Sequence, residues 1–83
     1  MNLDASMISD DEISNFYSKV STKVKYYREL KKVTQLDLAL DIGIKSVAFY
    51  SNCENNKYDK HFNMEHIYKI SKALDVNICE FFE

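Results

Sequence analysis

The chain has one glycine and no proline in 83 residues, and that glycine sits in the middle of its most strongly patterned stretch. With so few residues able to break a helix, the backbone is expected to run helical and to turn sharply at Gly43. The stretch from Thr34 to Glu54 reads TQLDLALDIGIKSVAFYSNCE. Thr34 can cap a first helix with its hydroxyl, and Asp37 adds an acidic partner three residues on. Leu36, Leu38, Ala39 and Leu40 give that helix apolar faces, and it should stop near Asp41, where Gly43 takes a positive φ at low cost. A second helix restarts at Lys45 or Ser46 and runs to about Asn52.

Other start signals fall in register with this pair. Ser9-Asp10-Asp11-Glu12 has the S-x-x-E form of a capping box. Ile13, Phe16, Tyr17, Val20, Val24, Tyr27 and Lys31 then recur at three- and four-residue steps, the stripe of an amphipathic helix. It runs from Asp10 to Lys32, or breaks near Ser21-Thr22, where hydroxyls can recap it. Asn63 caps a helix through Asp75, with Phe62 and Ile67 as a hydrophobic staple. Asn77 caps the last helix with Glu80 as box partner, and Val76 faces Phe81. Val33 and Leu38 repeat the staple at the second helix. The expectation is an all-α chain of five helices with no sheet.

A helix, a tight glycine corner and a second helix form the unit that lays its second helix in a DNA major groove. The residues carry a family likeness at this point. Gln35, Leu38 and Ala39, followed by Gly43-Ile44 and by Glu54, resemble the phage-repressor and Cro-like (XRE) helix-turn-helix family. Arg28 lies seven residues before Gln35, where that family has an arginine paired with the glutamate after the recognition helix. Ala73-Leu74-Asp75-Val76 and Phe81-Phe82 look like its fourth and fifth helices. The resemblance spans Val20 to Phe82. It implies a five-helix, repressor-like DNA-binding domain over residues 13–83, here with an extended first helix or an acidic N-terminal arm over residues 1–12.

Charge and composition limit the alternatives. The net charge is −2, unusual for a DNA binder. Asp4, Asp10, Asp11 and Glu12 lie in a first stretch without Lys or Arg, so the body from Phe16 carries +2. Attraction to phosphate is then modest, and tight binding calls for a dimer or a second protein. Cys53 and Cys79 set no disulfide framework, and with His61 and His66 they lack metal-ligand spacing. No apolar run reaches the length of a membrane span, and the chain reads as cytoplasmic. No cofactor, small-molecule ligand or enzyme chemistry is indicated.

Two registers describe the recognition helix. With Phe49 as buried anchor, stapled by Ile44 and capped by Lys45, the outward residues are Ser46, Val47, Tyr50 and Ser51. With Glu54 as anchor, Ser46 becomes the cap and Val47, Ala48, Ser51 and Asn52 face outward. Ser46, Val47, Tyr50, Ser51 and Asn52 are therefore the candidate base readers, and Val47 can meet a thymine methyl. Gln35, at a helix start, and Lys45, Asn55, Asn56, Lys57 and Lys60, around the recognition helix, are the candidate phosphate contacts. Asn56 stands where the family commonly has glycine, and asparagine tolerates a left-handed turn. Arg28 and Glu54 are expected to form a structural ion pair. Homodimerisation is expected through the last helix, with Ile78, Phe81 and Phe82. Ile13, Phe16 and Tyr17 either shield core or offer a surface to a protein partner. The rival reading is a helical adaptor or antitoxin-like protein-interaction module that has lost DNA reading.

Overall fold

The structure is a computed structural model that describes residues 4–83. The regular elements among those residues are all helical, without strands. Four α-helices, α1 (Asp10–Leu30), α2 (Gln35–Asp41), α3 (Val47–Asn55) and α4 (Met64–Leu74), are accompanied by short 3₁₀ turns at Ala5–Met7, Lys57–Asp59 and Ile78–Phe82.

Each α-helix starts on the same device. Ser9, Thr34, Ser46 and Asn63 accept a hydrogen bond from the amide three residues on, at Glu12, Asp37, Phe49 and His66. Each such bond satisfies one of the four orphan amides at a helix start. Only Asn63 closes the reciprocal box, because His66 Nδ1 accepts from the Asn63 amide at 3.1 Å. A neutral imidazole does here what a glutamate or glutamine usually does, and burial draws His66 below its ordinary pKa, which favours that neutral form.

Three of the helices also end alike. Lys32, Gly43 and Asp75 take positive φ. The next residues, Val33, Ile44 and Val76, send their amides back to the carbonyls of Arg28, Ala39 and Ser71. This is the Schellman closure, and in each case the residue that follows is apolar and turns inward. Gly43 has open space around an added Cβ. Glycine therefore serves there for its φ of 82°, not for room.

The core gathers Val20 and Val24 of α1, Leu38 and Ala39 of α2, Ile42 and Ile44 of the corner, Tyr50 and Cys53 of α3, Phe62, Ile67, Ile70 and Leu74 around α4, and Phe81. Helix α1 does not break at Ser21-Thr22. The Ser21 side chain is buried and its hydroxyl proton is shared between the Cys53 carbonyl and Asn56 Oδ1, each at 3.2 Å. It thereby satisfies a carbonyl at the end of α3 instead of recapping α1.

Several expectations are corrected at the chain ends. The boundary at residues 12 and 13 falls inside α1, whose first turn is Asp10-Asp11-Glu12. Of the N-terminal arm, Met1 to Leu3 lie outside the described residues, while Asp4 caps the Ala5–Met7 turn. The last expected helix is a five-residue 3₁₀ turn, too short for α-helical bonding to propagate. Asn77 takes the Cys79 amide, two residues on. Glu80 closes no box: its carboxylate accepts from the Tyr27 hydroxyl at 2.9 Å, and that bond raises the tyrosine pKa. Phe81, expected at a dimer contact, is fully buried. Ile78 packs partly against the core, and Phe82 remains at the surface.

Candidate nucleic-acid interface

The corner between α2 and α3 is held by one carboxylate. Glu54, buried near the end of α3, accepts from Arg28 Nε at 2.9 Å and from Arg28 Nη2 at 3.0 Å. It also accepts from Gln35 Nε2 at 3.1 Å and from the Tyr50 hydroxyl at 2.7 Å. Arg28 spends its remaining fork on the Val33 carbonyl at 2.9 Å. One buried group thus joins α1, the start of α2 and two turns of α3. Burial by itself would raise the Glu54 pKa, but the bonds from Arg28, Tyr50 and Gln35 prevail and hold it below the usual carboxylate value. Burial and then the bond to Glu54 push Tyr50 well up, so it stays a neutral donor. Among the described residues, no buried side-chain nitrogen or oxygen lacks a partner, which a charged cluster inside a small core requires.

This cluster decides the register of α3. Tyr50, Cys53 and Glu54 form its inner face. Phe49, taken as an anchor in one sequence register, is 37 % exposed, and Ile44 is buried in the core instead of stapling onto it. Ser46, not Lys45, is the cap. Tyr50 is removed from the base-reading set, because it is wholly buried with its hydroxyl spent on Glu54. A 100° step per residue from Tyr50 sets Ala48, Asn52 and Asn55 opposite the core, with Ser51 and Phe49 on the flanks. Val47 opens the helix, 43 % exposed. Ala48 and Phe49 belong to this surface although neither is among the five candidate base readers; the register anchored on Glu54 sets Ala48 outward, and neither register does so for Phe49.

The polar groups around the helix differ in availability. Gln35 Nε2 is committed to Glu54, so this side chain orients the corner and is not free to grip a phosphate through that nitrogen. Asn56 takes the left-handed position, φ 54°, as a glycine would, and its Oδ1 faces Ser21. Asn55 donates to Ser51 at both the carbonyl and Oγ. Ser46 Oγ caps Phe49. Lys45, Lys57 and Lys60 are exposed. Left-handed backbone continues after α3 at Tyr58 and Asp59, which turns the chain through the loop between α3 and α4. Lys60 shares a groove with Asp10, Ile13, Tyr17, Asp59 and His61.

A glycine corner, an α3 whose one face is locked by an arginine–glutamate pair, and an opposite face left open coincide with one family. The chain matches the helix-turn-helix family over residues 24–81, more than two-thirds of its length. It belongs to that family. Neither a curated protein nor a solved structure matches the chain. Membership in this helix-turn-helix family, of the Cro-like or XRE kind, makes the chain a DNA-binding regulator in general terms; the family is a regulatory one and not typically enzymatic. The match begins inside α1, so its first turns, from Asp10 through Lys23, lie outside it. Among the described residues, no helix is long and apolar enough to cross a membrane. No group of three His, Cys, Asp or Glu among them is placed to hold a metal.

Proposed function

We propose that the chain regulates transcription by sequence-specific binding to double-stranded DNA, with α3 in the major groove. The observation that supports this most is the asymmetry of α3. Its inner side is committed to Arg28 and the core, while Ala48, Asn52 and Asn55 lie opposite, Ser51 stands on the flank and Val47 is exposed at the first position of the helix. Lys45, Lys57 and Lys60 supply positive charge near both ends of the helix for the phosphate backbone. Exposed Val47, Ala48 and Phe49 give this part of the surface an apolar character that suits contact with base methyls.

One recognition helix covers few base pairs, so the active form is a homodimer with half-sites about one helical turn, ~34 Å, apart. Phe82 is the side chain on which the dimer contact turns. It is 36 % exposed and stacks on Phe16 with ring centroids 6.3 Å apart. The protein works in the cytoplasm, where its DNA is. Selection of bound sites from random duplexes, repeated across salt concentrations, tests the reading, and a protein-only module would enrich nothing. Val47→Glu with Ser51→Glu should abolish specific binding while leaving helical circular dichroism and melting intact. Loss of the fold in that variant would show the two residues to be structural. Phe82→Asp should shift the sedimenting species from dimer to monomer, and an unchanged mass would move the interface elsewhere.

A further inference from the structure

The outer face of α3 holds few polar groups, and most are already used. Asn55 is bonded to Ser51, Asn56 lies against Ser21, Gln35 is bonded to Glu54, and Ser46 is the cap. Asn52 is the exception. Its side chain is partly exposed, lies opposite Tyr50, and has no hydrogen-bond partner among the described residues. A carboxamide carries an acceptor and a donor side by side. In the major groove only adenine offers the matching pair, a donor at N6 beside an acceptor at N7. Guanine shows two acceptors there, cytosine a donor and thymine an acceptor with a methyl group. Ala48 lies one turn nearer the start of α3 on the same side as Asn52, and Val47 is exposed at the first position of the helix; both carry methyl groups and offer no side-chain hydrogen bond. Their complement is the thymine methyl.

We infer that the half-site read by this chain contains an adenine held by the Asn52 carboxamide, next to one or more thymines whose methyls rest on Val47 and Ala48. The inference depends on the major-groove reading proposed above and gives that site its sequence class. The reader set contains no arginine or lysine on the outward face, so a guanine contact through O6 and N7 is not the main determinant. Lys45, Lys57 and Lys60 contribute affinity that is blind to sequence.

The test starts from the duplex most enriched by the wild-type chain. Replacing single adenines by 7-deazaadenine removes the N7 acceptor, and replacing single thymines by uracil removes the methyl. One 7-deazaadenine position should weaken wild-type binding measurably, up to the roughly 5- to 150-fold range of a full bidentate base contact. Asn52→Ala should lose a similar factor on the unmodified duplex and become indifferent to that substitution. Uracil should weaken the wild type at a neighbouring position and weaken Val47→Ser less. Melting of both variants should match the wild type, since neither side chain is in the core. An enriched half-site made only of G·C pairs, or an Asn52→Ala variant with unchanged preference, would overturn the inference while leaving DNA binding intact. Failure of the wild-type chain to enrich any duplex would instead remove the major-groove reading, and this inference with it.

Discussion

The two halves of α1 are attached to the molecule in different ways. From Val20 onward the helix is embedded: Val20, Ser21, Val24 and Arg28 are buried, and Arg28 delivers its charge to Glu54. From Asp10 to Lys19 no residue is buried. That half meets the body through aromatic stacks at the rim, Tyr17 on His61 with centroids 3.7 Å apart and Phe16 on Phe82. The first kind of attachment sets the pose of α3, and it tolerates little, because a buried charge without its partner is expensive. The second kind is graded, since a surface stack can be lost with modest effect. The embedded half is the one that leads into the family match, and the overhanging half lies outside it.

Glu54→Ala tests the embedded half and should have the largest effect. It strands Arg28 and takes a partner from Tyr50 and Gln35, so stability should fall by about 3–5 kcal/mol in denaturant unfolding. For a domain of this size that is a large share of the total, and specific DNA binding should be lost with it. A drop below about 1 kcal/mol would mean that the cluster is solvated in solution. The same group predicts an acid limb. Glu54 is held below its unfolded pKa, so its stabilisation is complete above the ordinary value of 4.5 and is lost as pH falls through the lower folded value. Melting temperature followed from pH 6 downward should show that limb in the wild type (roughly the window in which a paired carboxylate titrates) and a flatter one in Glu54→Gln.

The overhanging half should respond much less. Ile13→Ser combined with Phe16→Ser removes an exposed apolar side chain and the stack on Phe82, at a cost of about 0.5–1.5 kcal/mol. Binding per half-site should hold, because nothing in α3 depends on these residues. If the double variant unfolded as readily as Glu54→Ala, the distinction between the two halves would be lost. If it kept its stability but became monomeric, the rim aromatics would be assigned to the partner contact.

The difference between the halves also explains how much of the fold is legible in the sequence. Caps and corners are short-range chemistry, so Ser9, Thr34, Asn63 and Gly43 mark their helix ends by residue type and spacing alone. The Arg28–Glu54 pair is visible only through the family pattern, since no local rule joins residues 26 apart. The phase of α3 is not legible, because Phe49 and Tyr50 are adjacent aromatics and periodicity cannot say which one faces inward. The hydroxyl settles it: buried tyrosine needs an acceptor, and Glu54 lies one turn on. Lys32 in its left-handed position escapes a sequence reading too, because lysine announces no such turn, whereas Asp75 is of a type that tolerates one.

Those two positions provide the finest comparison, between the embedded end of α1 and the end of α4. Both hold a side chain where glycine relieves about 1–2 kcal/mol of backbone strain, against about 0.4–1 kcal/mol of added freedom in the unfolded chain. Charge then separates them. Lys32 sits at a helix C-terminus, where a cation is favourable, whereas Asp75 places an anion against the same negative helix end. Asp75→Gly should therefore raise stability by about 1 kcal/mol, which for a domain this small is a rise of roughly 4–8 °C in melting temperature. Lys32→Gly should change it little, because the lost dipole interaction offsets the relieved strain. Thermal melts of the two variants at low and high salt separate the contributions: salt should shrink the gap between them by weakening the dipole effect and leave the backbone part. A larger gain from Lys32→Gly than from Asp75→Gly would show that strain at the anchored end of α1, beside the Arg28 carbonyl, exceeds that at α4.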